Sequence, residues 1–66
     1  MRLTVNGETR TLDGVLDIAG LIAALGLDSR KVAVEHNLAI VPRSAYGFTP
    51  VGDGDRIEIV HFIGGG

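Results

Sequence analysis

Apolar and polar residues alternate at the start of the chain, where Leu3 and Val5 are separated by a single threonine. A period of two is typical of a strand with one buried face. Asn6-Gly7 follows directly, and this dipeptide favours the type I′ turn of a two-residue hairpin. The returning arm, residues 8–12, is polar and threonine-rich, as in exposed edge strands. The pattern therefore predicts an opening β-hairpin that ends before Asp13-Gly14.

The period then changes to that of a helix. Four large apolar residues stand at positions i, i+3, i+4 and i+7, namely Ile18, Leu21, Ile22 and Leu25. This spacing predicts one short helix over residues 18–25, with Asp17 as its N-cap and Gly26 just past its end. The other helical positions are alanine and glycine, so the helix has no charged face. Packing against the rest of the domain must therefore stabilise it.

The second half of the chain contains three further strand patterns. Residues 32–35 predict a strand that turns at His36-Asn37, and residues 38–41 predict a short edge strand that stops at Pro42. Residues 43–50 have no regular pattern beyond room for one helical turn. The next segment, 52–55, is rich in glycine and aspartate and predicts a tight turn. A last strand is predicted over residues 56–63, with Ile57 and Ile59 on one face and Val60 and Phe62 on the other.

The predicted order is therefore β-β-α-β-β-β. One apolar helical stripe and one apolar sheet face can cover each other, which gives an α+β fold with a mixed sheet packed on a single helix. The first and last strands are expected to lie centrally in that sheet. This arrangement is the ubiquitin-like β-grasp.

Length and composition narrow the possible functions. Sixty-six residues fit one small domain, which leaves little volume for a deep substrate pocket. The sequence has no cysteine, so it offers no disulfide, thiolate metal site or catalytic thiol. A net charge of -2 without a basic cluster does not favour a nucleic-acid partner. No acid, base and nucleophile are grouped along the chain, so we do not expect an enzyme.

The apolar runs are short. The longest, residues 18–27, is far below the roughly 20 residues that a membrane helix needs. The first residues become polar before a signal-type apolar region develops. We therefore expect no membrane partner and a cytoplasmic protein.

The most informative feature is the triple glycine at residues 64–66, directly after the last predicted strand. We expect a folded domain over residues 1–63 and a flexible tail over residues 64–66. Three glycines reach roughly 10 Å and have no Cβ, so they can enter a narrow channel of another protein. The α-carboxylate of Gly66 could then attack the α-phosphate of ATP bound to an activating enzyme and form an acyl-adenylate. Gly64 and Gly65 would be the slender spacer.

Several segments together resemble the ThiS family, the sulfur carrier proteins of thiamin biosynthesis. They are Val5-Asn6-Gly7, residues 32–37 (VAVEHN), residues 40–44 (IVPRS), Gly54-Asp55 with the IEIV strand behind it, and the closing Gly65-Gly66. The resemblance covers essentially the whole chain. It departs from the family pattern at residues 37–39.

The resemblance implies a cycle of sulfur transfer. An E1-like adenylating enzyme would activate Gly66 with ATP, and a persulfide sulfur donor would convert the adenylate into a thiocarboxylate. Thiazole synthase would then take the sulfur into the thiazole ring. No cofactor and no metal would be bound by the chain itself, since ATP is used by the activating partner.

The remaining candidates are an apolar pair and several charged or titratable residues. Val60 and Phe62 are predicted to form an exposed apolar patch for docking a partner beside the tail. His36 and His61 lack metal-type spacing and receive no role. Arg43 is expected to be solvated, and the Asp53/Asp55 pair is assigned to a turn rather than to calcium.

Two alternatives to the thiazole pathway stay open. The small subunit of molybdopterin synthase would share the fold and the terminus. A protein-binding β-grasp module would use the sheet surface alone and would not need a free glycine end.

Overall fold

A computed structural model describes residues 1–62 of the chain. Five strands and one α-helix are present in this part, together with two 3₁₀ helices. The strands are β1 (Arg2–Val5), β2 (Glu8–Thr11), β3 (Val32–His36), β4 (Ala39–Val41) and β5 (Arg56–His61), the α-helix α1 is Ile18–Ala24, and the 3₁₀ helices are Ser29–Lys31 and Arg43–Phe48. The described strands form one sheet in the order β2-β1-β5-β3-β4. β1 and β5 are parallel and the other pairs are antiparallel, so the sheet is mixed, as predicted.

The opening hairpin is confirmed. Asn6 and Gly7 both have positive φ, 50° and 80°, as a type I′ turn requires. Every residue of β2 is exposed, and β2 is an edge strand of the sheet. Its polar sequence therefore matches the surface that it occupies.

The helix forms where the apolar spacing predicts it. Asp17 is its N-cap, with a carboxylate oxygen that accepts a 2.7 Å hydrogen bond from the Gly20 amide. The helix ends at Ala24, one residue earlier than predicted, because Leu25 is already its C-cap. Gly26 follows with φ +74°, the left-handed conformation that commonly ends helices.

The core lies between α1 and one face of the sheet. Its largest fully buried side chains come from both layers: Leu3, Ile18, Leu21, Ile22, Val32 and Ile57. Burial of this apolar surface is the main stabilising term for so small a domain.

The segment after Pro42 is more regular than the sequence pattern indicates. It forms the 3₁₀ helix Arg43–Phe48, which packs against α1. Tyr46 is 4% exposed within it, and its hydroxyl donates a 3.1 Å hydrogen bond to the Val32 carbonyl. This tyrosine therefore joins the core to the start of β3, a role that the sequence analysis missed.

β5 lies at the centre of the sheet, between β1 and β3. Ile57 and Ile59 point into the core, whereas Val60 lies on the opposite face. The predicted strand over residues 56–63 ends at His61. Ile63 and the predicted tail, Gly64, Gly65 and Gly66, lie outside the described residues. Within residues 1–62, no helix has the length and apolar character needed to cross a bilayer.

Candidate functional site

The candidate site is the end of β5, where the chain leaves the described part of the domain towards the glycines. The Phe62 amide donates a 2.9 Å hydrogen bond to the Lys31 carbonyl, which extends the pairing of β5 with β3 by one residue. Phe62 is thus held to the sheet by its backbone. The three glycines of the sequence begin two residues later.

On its other side, β5 is held by the hairpin turn. β1 ends at Val5, and the side chain of Asn6 continues the contact with β5. Its Oδ1 accepts from the Ile59 amide at 2.7 Å, and its Nδ2 donates to the Ile59 carbonyl at 3.1 Å. A side-chain amide has the same donor and acceptor as a peptide group, so Asn6 replaces the next strand residue. β5 is therefore fixed from both sides close to its end.

The outer face of the sheet, opposite α1, carries an apolar surface at this end. Val60 is 62% exposed and Phe62 is 54% exposed. Ala33 lies directly opposite Val60, and Ile40, 80% exposed, lies opposite Glu35 on the same face. We call Ala33, Ile40, Val60 and Phe62 the outer-face patch. Since helix α1 covers the other face, the patch is open to a partner.

Sequence reasoning found only half of this patch. Ala33 and Ile40 join Val60 through the strand register, which the periodicity of a single strand does not reveal. Other large apolar side chains are exposed elsewhere, namely Leu16, Leu38 and Phe48. An isolated exposed apolar residue needs no functional explanation, whereas Ala33, Val60 and Phe62 share one face at the end of β5, and Ile40 lies on β4 of the same face.

A polar cluster lies at the opposite end of β5, just before the strand begins. His36 Nε2 and Asp55 Oδ2 are 2.7 Å apart, and the same oxygen accepts from the Gly52 amide at 2.8 Å. Asn37 Nδ2 donates to the other carboxylate oxygen at 3.3 Å. The hydrogen bond with His36 is the main cause that holds the pKa of Asp55 below its ordinary value. The cluster ties the turn after β3 to the turn before β5, so Asp55 is a turn residue, as the sequence indicates.

The histidines and aspartates do not assemble into a metal site in the described chain. No group of three histidine, cysteine, aspartate or glutamate side chains within residues 1–62 could hold a metal ion. His61 lies away from His36 and lines a groove of about 230 Å³ with Asn6, Arg10 and Leu27. This volume is below the range that small-molecule sites usually occupy.

The prediction for Arg43 was incomplete. Its side chain is exposed, but the guanidinium donates a 3.1 Å hydrogen bond to the Arg30 carbonyl. The two residues are 13 apart in sequence, so the sequence gives no sign of this contact.

Comparison with known proteins identifies the family. The family model described as ThiS matches residues 3–66 of the chain. This chain belongs to the ThiS family. The solved structures agree, since the crystal structure of a thiamine biosynthesis protein (ThiS) from Geobacter metallireducens superposes with a TM-score of 0.85 at 42% identity. That match covers the whole of both chains, so the fold is the ubiquitin-like β-grasp.

The curated relatives of this chain include a protein of similar length and much longer proteins. The sulfur carrier protein ThiS of Bacillus subtilis is 43% identical over 49 residues, 74% of each chain. A thiazole synthase of Paramagnetospirillum magneticum is 54% identical over all 66 residues, which are 20% of that protein. The thiazole synthase of Magnetococcus marinus is 44% identical over the same span. The chain thus spans about a fifth of the length of these two synthases.

Proposed function

We propose that this chain is a sulfur carrier of thiamin biosynthesis, and that the Gly66 carboxyl group is the atom group that is loaded. One observation carries the proposal. β5 runs through the centre of the sheet, is fixed on both sides near its end, and leads beside the outer-face patch towards three glycines. Family membership and the carrier name of the Bacillus subtilis relative support it.

The proposed loading needs two covalent steps on a partner. The Gly66 carboxylate attacks the α-phosphate of ATP on an E1-like adenylating enzyme, pyrophosphate leaves, and an acyl-adenylate forms. The terminal sulfur of a persulfide donor then attacks the activated carbonyl and AMP leaves. A second protein thiol cleaves the resulting acyl disulfide, which leaves a thiocarboxylate on Gly66 and a new disulfide on the partner. The chain has no cysteine, so the transferred sulfur cannot be carried as a persulfide on a side chain of this protein.

In this scheme the chain is a co-substrate rather than an enzyme. ATP is bound and used by the activating partner, and the chain needs no cofactor of its own. Because ATP drives the loading, we also propose a cytoplasmic location. The folded domain over residues 1–63 would present the tail, and residues 64–66 would pass through the partner's channel.

Thiazole synthase is the proposed acceptor of the sulfur. Two thiazole synthases contain a segment similar to the whole of this chain, at 54% and 44% identity. A carrier joined to its acceptor in one polypeptide supports a functional link between the two. The family match over residues 3–66 favours this acceptor over molybdopterin synthase.

The proposed docking surface for the adenylating enzyme is the outer-face patch. It is apolar, and it contains an aromatic side chain, Phe62, which stands two residues before the glycines in the sequence. Aromatic residues are enriched at the centres of protein interfaces. A binding module without carrier function would use the same surface but would not depend on Gly66.

Intact mass spectrometry tests the loading. The chain is incubated with ATP, an adenylating enzyme and a sulfide source, and a gain of about 16 Da, sulfur for oxygen, is expected. Omission of ATP should abolish the gain. A variant with one alanine added after Gly66 should also show none. Its terminal carboxylate belongs to alanine, whose Cβ would obstruct the narrow channel. The mass of the protein produced from its own gene must also agree with Gly66 as the last residue.

Two results would contradict the proposal or favour its alternative. If the mass does not rise with an enzyme that loads another member of the family, the carrier function is contradicted. Unchanged partner binding by the extended variant, together with no loading of the parent chain, favours the binding module.

A further inference from the structure

Charged side chains are unevenly distributed along β5. Around its end lie three basic residues, Arg30, Lys31 and Arg43. The Lys31 carbonyl accepts from the Phe62 amide, and the Arg43 guanidinium donates to the Arg30 carbonyl. We call Arg30, Lys31 and Arg43 the basic collar. These are half of the six basic residues of a chain whose net charge is -2.

The start of β5 is acidic on balance, since four carboxylates outnumber the two arginines there, Arg2 and Arg56. Asp53 and Asp55 directly precede the strand, Glu58 is its third residue, and Glu35 lies opposite Glu58. Glu35 is exposed and shares the outer face with the apolar patch. Val60 and Phe62 of the patch therefore lie between an acidic end and a basic end of β5.

The two ends act separately on a partner. A strand of six residues is roughly 20 Å long, and exposed charges are screened beyond about 8 Å at physiological salt. Arg30 is partly offset by its ion pair with Asp28 at 3.0 Å. Lys31 and Arg43 are exposed. Lys31 accepts through its carbonyl from Phe62 of the outer-face patch, and Arg43 reaches the carbonyl of the residue before Lys31.

We infer that the basic collar binds an acidic rim around the channel of the enzyme that loads the tail. The inference rests on the carrier function proposed above and adds the chemistry of the partner surface. A small apolar patch alone permits docking in more than one orientation. Opposite charges at its two ends select one of them, since reversed docking would bring Glu35 and Glu58 against the acidic rim. In the selected orientation, residue 62 faces the channel that would receive the glycines following it in the sequence.

Paired charge reversals test the inference. The double variant Lys31→Glu/Arg43→Glu is compared with Arg2→Glu/Arg56→Glu, which changes the net charge equally at the other end of the sheet. Loading by an adenylating enzyme is followed at 50 mM salt as a function of carrier concentration. We expect KM to rise about tenfold for the collar variant, with kcat within about twofold, because rim charges act mainly on association. The control variant should stay within about twofold of the parent chain.

Salt provides a second readout. Raising the salt to 300 mM should weaken loading of the parent chain and largely remove the difference from the collar variant. Circular dichroism and thermal unfolding establish that both variants are folded. A wild-type KM for the collar variant, or an equal rise in both variants, overturns the inference while leaving the carrier function intact. Absence of ATP-dependent loading in the parent chain instead overturns the proposed function, and the inference with it.

Discussion

Two asparagines with positive φ hold β5 in place through their side chains. Asn6, at φ 50°, binds both backbone groups of Ile59. Asn37 has a φ of 49°. Its side-chain Oδ1 accepts from the Arg56 amide at 2.9 Å, and its backbone N–H donates to the Arg56 carbonyl at 2.8 Å. Asparagine tolerates the left-handed conformation better than most residues and offers a second amide for hydrogen bonding. Each turn is therefore also a clamp on the central strand.

Replacement of Asn6 should separate these two properties. Asn6→Gly keeps the positive φ without strain but removes both side-chain hydrogen bonds, at a cost of about 1–2 kcal/mol in the free energy of unfolding. Asn6→Ala removes the same hydrogen bonds but keeps a Cβ in the left-handed region, so it should be less stable than Asn6→Gly by about 1 kcal/mol. Urea denaturation measures both, with Glu8→Ala on the exposed edge strand as the control. Wild-type stability of Asn6→Gly would show that the amide contacts contribute nothing.

The bond between His36 and Asp55 gives the fold an acid-sensitive contact. Their 2.7 Å hydrogen bond holds the pKa of Asp55 below its ordinary value of 3.8, so the folded chain binds fewer protons than the unfolded chain as the pH falls through this region. The stability due to ionised Asp55 is therefore complete well above pH 3.8 and is lost as the pH falls through the lower, folded pKa. Asp28, whose hydrogen bond with Arg30 lowers its pKa to about 2, acts in the same direction.

Asp55→Asn should accordingly be less stable at pH 7 and lose less stability between pH 4 and pH 2 than the parent chain. The decline will be reduced rather than abolished, because Asp28 still titrates. Chemical denaturation at a series of pH values measures the slope. Glu35→Gln, which removes an exposed carboxylate from the outer face, is the matched control. A slope in Asp55→Asn equal to that of the parent chain contradicts the assignment.

At the scale of elements, the sequence predicted well those elements that are stabilised by contacts between residues close together in the chain. The helix follows from the spacing of Ile18, Leu21 and Ile22, and from a capping carboxylate three residues before Gly20. The first hairpin follows from Asn6-Gly7, since its backbone conformation is set by those two residues. Both elements were therefore predicted to within one or two residues.

The strands of the second half were predicted from their own patterns, but several features that depend on distant contacts were not. The 3₁₀ helix Arg43–Phe48 has no apolar period of its own, and its tyrosine is fixed by Val32, 14 residues away. The contact of His36 with Asp55 spans 19 residues. The outer-face patch depends on the register of three strands, so Val60 and Phe62 were predicted and Ala33 and Ile40 were not.

At the scale of the whole molecule, helix α1 covers one face of the five-stranded sheet, and within residues 1–62 no other element covers the opposite face. The described core is complete without the outer-face patch, since its buried side chains come from the helix side. A small domain can therefore use its free sheet face for binding without weakening its own core. This separation allows the docking surface to be changed while the fold is kept.

Phe62→Asp tests whether the docking surface can be changed while the fold is kept, and Phe48→Asp is its matched control. Phe62 is 54% exposed within the patch, whereas Phe48 is 86% exposed at the end of the second 3₁₀ helix. Both changes remove an exposed phenyl ring and add one negative charge, so both should alter the free energy of unfolding by no more than about 0.5 kcal/mol. Only Phe62→Asp should raise the KM for loading, by about tenfold or more, because it alone places a charge in the proposed interface.

A further variant separates the lost apolar contact from the added charge. Phe62→Leu keeps an apolar side chain beside Val60, so most of the loading efficiency should return if docking depends on apolar burial. If Phe62→Leu is as poor as Phe62→Asp, the aromatic ring itself is required. Equal effects of Phe62→Asp and Phe48→Asp would mean that the outer-face patch is not where the adenylating enzyme binds. The end of β5 would then position the glycines without itself forming the docking surface.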